Sequence, residues 1–301
     1  MPFCVETNQL THQFSAGEKV LDQINLQVPR GSIYGFLGPN GAGKTTTLRL
    51  IMGLLKKQEG SITVFGKSFD KHRIAILQKT GSLIESPSLY GQLTAMENLL
   101  VLQKIYRCPK ERLYELLKQV GLPNTGKKKT SQFSLGMKQR LGIALSLLNN
   151  PDLLIMDEPT NGLDPNGIIE IRALIKQLNE QGMTILLSSH LLTEMEKLVT
   201  HAGIIHRGKM LFQGTFEELI GKRQQSSLFV LDTSDPAKTM QLVRREGLAA
   251  TMENGRIQLP TVPKAVIARI NRQLVEQGIE VYELASVRND LETIFIDLIK
   301  N

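Results

Sequence analysis

Apolar positions along this chain follow two alternating rhythms. The stretch "KVLDQINLQVPRGSIYGFLG" at residues 19–38 reads as strand, turn, strand, and "KTTTLRLIMGLL" at 44–55 places Leu48, Ile51 and Leu55 on one face of a helix. "GSITVFG" at 60–66 is a strand bounded by glycines. Helical spacing runs from about Glu97 to Val120, through "ENLLVLQKIY" and "KERLYELLKQVG". Helix, strand, helix and strand follow in "GMKQRLGIALSLL", "DLLIMDE", "GIIEIRALIKQLNEQG" and "MTILLSSH". Short apolar strands alternating with helices predict an α/β domain with a largely parallel sheet covered on both faces.

The rhythm changes after about Lys222. "SSLFVLDT", "LAATMENGRIQL" and "IEVYELA" read as strands, and "PAKTMQLVRREG" and "PKAVIARINRQLVEQG" as helices. That order resembles a small split βαβ sandwich. The expected organisation is one domain over 1–222, with a helical subdomain at about 90–150, and a small α+β domain over 223–301. "GKRQQSS" is the expected linker.

Composition narrows the class. The 301 residues are 41% hydrophobic and 22% charged, as in ordinary globular proteins, and no window approaches the roughly 20 apolar residues of a membrane helix. The start, "MPFCVETNQLTHQF", lacks the basic and apolar regions of a signal peptide. Cys4 and Cys108 have no metal-type spacing, which argues against a disulfide scaffold or a zinc site and fits a reducing compartment. The formal net charge of +7 and pI of about 9.3 favour anionic partners.

Three stretches carry candidate chemistry. "GPNGAGKT" lies between a strand and a helix and matches a phosphate-binding loop. Gly38, Pro39, Asn40, Gly41, Ala42, Gly43, Lys44, Thr45 and Thr46 form the expected cradle. Lys44 supplies a cation for the β- and γ-phosphates, and the Thr45 hydroxyl is a candidate Mg²⁺ ligand. "LLIMDE" is a buried strand ending in two carboxylates, where open α/β sheets bind ligands. Asp157 fits a metal carboxylate, and Glu158 a base for an attacking water. "ILLSSH" brings His190 to the same sheet edge, within reach of a terminal phosphate. Last, "FSLGMKQRLGIA" has the form of a helix start: Ser134 is an N-cap, Gly136 keeps the first turn open, and the free N–H groups suit an anion.

"GPNGAGKT", "FSLGMKQR", "LLIMDEPTNGLDP" and "SSH", in this order and spacing, resemble the ATP-binding subunits of ABC transporters over about residues 3–220. The resemblance implies an ABC-type P-loop ATPase domain that binds ATP and Mg²⁺. It implies that Phe14, in "LTHQF", stacks on adenine and that Asp164 communicates across a dimer. Glu158 is then the catalytic base and His190 the switch histidine. "FSLGM" stands at the family's signature loop, so Ser134 and Gly136 would contact a nucleotide held by a second, head-to-tail copy. Leu135 replaces the usual glycine there and Met137 the usual glutamine.

The family's loop glutamine is Glu85 here, in "TGSLIESPSLYGQLTAMENL". That exchange, "GSLIE" and "SLGMKQRLGIA" resemble exporters of bacitracin and lantibiotic peptides, and place Glu85 near the metal or the attacking water. The tail "VRNDLETIFIDLI" resembles the end of an accessory domain in drug-exporter ATPases. The expectation is a homodimeric ATPase driving a separate integral membrane permease from the cytoplasmic face of the membrane, with no nucleic-acid partner. One alternative is a soluble ABC ATPase on ribosomes or nucleic acid, which normally carries two cassettes or a long coiled coil. Another is a non-hydrolysing regulator, against which Glu158 argues.

Overall fold

The chain opens on an antiparallel sheet that its sequence conceals. β1 (Phe3–Gln13) pairs with β2 (Lys19–Ile24), β3 (Gln27–Pro29) and, farther along, β5 (Glu59–Val64). Several of its buried positions are polar, Thr7, Thr11 and His12, and its register is broken near Gln9, whose φ is 48°. The Thr7 hydroxyl ties the strand to its neighbour, donating to Ile24 O at 2.8 Å and accepting from Leu26 N at 2.9 Å. The structure is a computed structural model that describes residues 2–14, 17, 19–225, 228–260 and 262–287.

The central sheet follows the apolar runs. β4 (Ile33–Leu37), β7 (Thr80–Leu83), β8 (Leu153–Met156), β9 (Thr184–Ser189), β10 (His201–His206) and β11 (Lys209–Thr215) lie in the order β11-β10-β4-β9-β8-β7. All pairings but β10–β11 are parallel. β4, β8 and β9 are buried along their whole length, which is why they read as unbroken apolar runs. α1 (Lys44–Ile51) stops short of the expected face: Gly53, at φ 65°, ends it, and Leu55 packs on the core from beyond the helix. A short β6 (Lys67–Ser68) and α2 (Phe69–Leu77) precede β7.

The helical subdomain holds α3 (Ala95–Tyr106), α4 (Lys110–Gln119) and α5 (Leu135–Ser146). α3 starts on a capping box, with Thr94 Oγ1 accepting from Glu97 N and the Glu97 carboxylate accepting from Thr94 N. α6 (Pro165–Glu180) and α7 (Leu192–Met195) flank β9 in sequence.

Contacts divide the chain into Met1–Phe216 and Glu217–Asn301. The division falls at the start of α8 (Phe216–Gln225) rather than after residue 222, where the change of sequence rhythm is expected to mark it. The expected linker "GKRQQSS" is therefore helical as far as Gln225. The second unit runs β12 (Leu228–Thr233), α9 (Pro236–Arg245), β13 (Thr251–Glu253), β14 (Arg256–Pro260), α10 (Lys264–Glu276) and β15 (Val281–Val287), and its strands form a sheet ordered β13-β14-β12-β15. All its pairings are antiparallel, the split βαβ arrangement. Leu231, Val243, Ile257, Leu259, Ile270 and Leu274 make its core. Apart from Val287, the tail "VRNDLETIFIDLI" lies outside the described residues.

Candidate functional site

The phosphate loop is built by exclusion of side chains. Gly43 caps α1 at φ 107°, and a Cβ there would stand 2.5 Å from Leu21 Cδ2 and 3.0 Å from the Val20 carbonyl. No side chain caps α1, so its first N–H groups and positive dipole end remain for an anion. Lys44, only 6% exposed, donates from Nζ to the carbonyls of Gly38 at 2.8 Å and Pro39 at 3.3 Å. The loop is thus folded around its own cation. Asn40 and Gly41 are exposed at its rim, Ala42 is buried, and Thr46 is half-buried beside Thr45.

Asp157 and Glu158 follow β8 as expected. Asp157 is 6% exposed, and its Oδ2 accepts from Thr45 Oγ1 at 2.7 Å. Its Oδ1 accepts a hydrogen bond from Ser188 Oγ. Glu158 sits in the left-handed region at φ 48°, and its N–H donates to the same Ser188 Oγ at 2.9 Å. Its carboxylate bridges Lys44 Nζ at 3.2 Å and His190 Nδ1 at 2.8 Å. Lys44, Thr45, Asp157, Glu158 and His190 therefore meet at the carboxyl ends of β4, β8 and β9.

The other expected residues lie apart from this cluster. Ser134 caps α5 with its Oγ accepting from Met137 N at 3.3 Å, and both Ser134 and Leu135 are exposed. Neither Leu135 nor Gly136 has a positive φ, so the backbone there does not demand glycine. Leu135 instead packs toward Gly162, in the loop before α6. Asp164 caps α6, accepting from Gly167 N at 3.0 Å. Phe14 is 63% exposed and meets the buried His12 ring edge-on, with centroids 4.9 Å apart. The structure does not bring Glu85 to Thr45 or Asp157: its carboxylate pairs with Arg49, one turn beyond Thr45 on α1. Glu85 also has a positive φ, 66°.

Ser188 and Arg49 escaped the sequence reading. Ser188 belongs to the quoted "SSH", but a serine inside a buried strand carries no signal of its own. The donor set suits a hard divalent cation. Among the described residues no three His, Cys, Asp or Glu side chains form a metal cage. One hydroxyl and one carboxylate match an ion such as Mg²⁺, which keeps waters and takes phosphate oxygens.

Known proteins share this architecture. The family model described as "ABC transporter" matches residues 21–161. The chain is 43% identical over 303 residues to the bacitracin transport ATP-binding protein BcrA of Bacillus licheniformis, covering 99% of this chain and 98% of that one. It is 45% identical over 198 residues to the lantibiotic transport ATP-binding protein SrtF of Streptococcus pyogenes, covering 66% of this chain and 85% of that one. Among solved structures, a dimeric ATP-binding cassette in a post-hydrolysis state with ADP and Pi superposes with a TM-score of 0.63 at 28% identity, covering 70% of this chain and 98% of that one. CbiO1 from Clostridium perfringens, part of an ABC transporter complex, gives 0.67 at 27% identity, over 74% of this chain and 92% of that one. The chain belongs to the ABC transporter family, as an ATP-hydrolysing subunit that powers transport through a separate permease.

Proposed function

We propose that this ATPase drives export of a peptide antibiotic, drug or lipid-like compound, working as a head-to-tail homodimer at the cytoplasmic face of the membrane. The names of the relatives, bacitracin and lantibiotic transport proteins, support the substrate class and favour transport over a role on ribosomes or nucleic acid. Among the described residues no helix is long and apolar enough to cross a membrane. A groove of about 470 Å³, lined by Leu83, Ile84, Pro87, Leu102, Tyr106 and Leu145, lies between the central sheet and the helical subdomain. Ile84 flanks Glu85, which supports this groove as the seat for a permease segment and Glu85 as the residue that reports its docking.

The observation that carries the chemistry is the bridge from Lys44 through Glu158 to His190. When ATP enters, Lys44 turns from the Gly38 and Pro39 carbonyls to the β- and γ-phosphates. Glu158, released from Lys44, accepts a proton from water attacking the γ-phosphate in line. His190 holds Glu158 and offers a donor to the transferred group. Thr45 and Asp157 would hold Mg²⁺, which would supply positive charge beside the phosphate oxygens. Phe14 stacks on adenine, and Asp164, beside Leu163 and the signature helix, relays occupancy across the dimer. Ser134 and Gly136 present the N-terminus of α5 to the nucleotide of the second copy.

The test mixes two inactive chains. Lys44→Ala and Ser134→Arg are each expected to abolish turnover. In a mixed dimer one site carries both defects and the other neither, so part of the ATPase activity returns. No recovery in mixed dimers would show that each chain completes its own site, and full activity of Ser134→Arg alone would remove Ser134 from the nucleotide site.

A further inference from the structure

We propose that Ser188 is a positioning residue that assigns the two oxygens of Asp157 and fixes the backbone of Glu158. The inference rests on the reading of Asp157 as the metal carboxylate. Ser188 lies in β9 and is fully buried, at 0% exposure, so no bulk water can replace its hydroxyl. The parallel register brings it there: Met156 of β8 pairs with Leu187 of β9, so the next residues, Asp157 and Ser188, meet where β8 ends.

The direction of each hydrogen bond is forced. A backbone N–H can only donate, so the Glu158 amide takes a lone pair of Ser188 Oγ at 2.9 Å. The single hydroxyl proton of Ser188 is then left for Asp157 Oδ1. Asp157 accepts on Oδ1 from Ser188 and on Oδ2 from Thr45 at 2.7 Å, so each oxygen has a different partner. Oδ1 is held by the strand and Oδ2 faces Thr45, the other candidate metal ligand. The same hydroxyl also satisfies the amide of Glu158, a residue held at φ 48° in a region that non-glycine residues rarely occupy. That backbone conformation points the Glu158 carboxylate at Lys44 and His190. One hydroxyl thus sets the metal carboxylate and the base together.

The test uses the full chain with Ser188→Ala, Ser188→Thr and Ser188→Val. Threonine and valine have nearly the same volume and differ by one hydroxyl, so their comparison separates the hydrogen bonds from packing. A fluorescent ATP analogue is titrated with Mg²⁺, its affinity is measured again in EDTA, and turnover is followed in parallel. Removing a group that orients a ligating side chain typically weakens metal affinity or activity 10- to 100-fold. Ser188→Ala and Ser188→Val are expected to raise the half-saturating Mg²⁺ concentration about tenfold or more and to lower turnover as much. Affinity for the metal-free nucleotide should change less than about twofold, and Ser188→Thr should stay close to the wild type. Equal behaviour of the threonine and valine variants would overturn the proposal. So would a wild-type Mg²⁺ midpoint in Ser188→Ala, or a parallel loss of metal-free binding. If Ser188→Ala fails to fold, the threonine–valine pair decides alone. Asp157→Asn separates the two readings: a shifted midpoint there with none in Ser188→Val refutes only the role of Ser188, whereas no shift in Asp157→Asn refutes the metal reading of Asp157.

Discussion

The pairing of Glu85 with Arg49 yields a quantitative expectation for coupling. Arg49 lies four residues beyond Thr45 on α1, about 6 Å along the axis. Glu85 must therefore leave Arg49 to approach the phosphates or Mg²⁺. The two side chains are 35% and 60% exposed. An ion pair at such exposure contributes about 0.2–1 kcal/mol, a factor of no more than about five in an equilibrium. Arg49→Met should thus lower Tm by no more than about 4 °C. It should change the nucleotide concentration for half-maximal ATPase by at most about fivefold, and the difference should shrink at high salt, where exposed pairs are screened. Glu85→Gln should leave ATP binding nearly intact while lowering transport, because glutamine offers a neutral oxygen and an N–H in place of a charge. The assay measures ATPase rate and transport in the assembled complex for Arg49→Met, Glu85→Gln and Glu85→Ala. Wild-type transport in both Glu85 variants would refute the coupling role. A loss of ATP binding beyond tenfold in Arg49→Met would refute the assignment of a weak, exposed latch.

Two further expectations concern the scaffold. A methyl at Gly203 would collide with the hydroxyl of the buried Tyr34, which donates to Gln213 at 2.9 Å; Gly203→Ala should cost about 1–3 kcal/mol in chemical denaturation, and adding Tyr34→Phe should restore part of it. Hydrogen bonds from Thr94, first through its backbone N–H, hold the Glu97 carboxyl below its usual 4.5, with Lys129 adding to the effect. Because the folded pKa is depressed, this stabilisation is complete above 4.5 and fades as pH falls through the folded value. The stability difference between wild type and Glu97→Gln, measured by denaturation across pH, should accordingly be present at neutral pH and vanish in acid.

What the sequence made legible follows from how each residue is recognised. β4, β8 and β9 are buried on both faces and so appear as apolar runs, and the contiguous stretch around Lys44 and the carboxylates at the tip of β8 needed no long-range information. β1 stayed hidden because Thr7, Thr11 and His12 are buried polar residues and its alternation breaks near Gln9. α2 was missed for a related reason: it is kinked at His72, where φ is −128°, and leaves Ile74 75% exposed, so it shows little periodicity. Ser188 depends on strand register across 31 residues of sequence, and Arg49 on a loop folding back to α1 across 36. Neither distance is visible in a local pattern. Asp164 was legible by resemblance, yet its visible contact is a helix cap, a role that any "D-P" helix start announces.

In the proposed dimer ATP is the shared ligand of two copies, held by Lys44 and Glu158 of one and by the Ser134 helix of the other. Sedimentation of the Glu158→Gln chain, with and without Mg·ATP, tests it most directly. A shared site predicts a monomer without nucleotide, a stable dimer retaining two ATP with it, and loss of that dimer when Ser134→Arg is added. A chain that stays monomeric in ATP, or an ATP-bound dimer indifferent to Ser134→Arg, would contradict the claim.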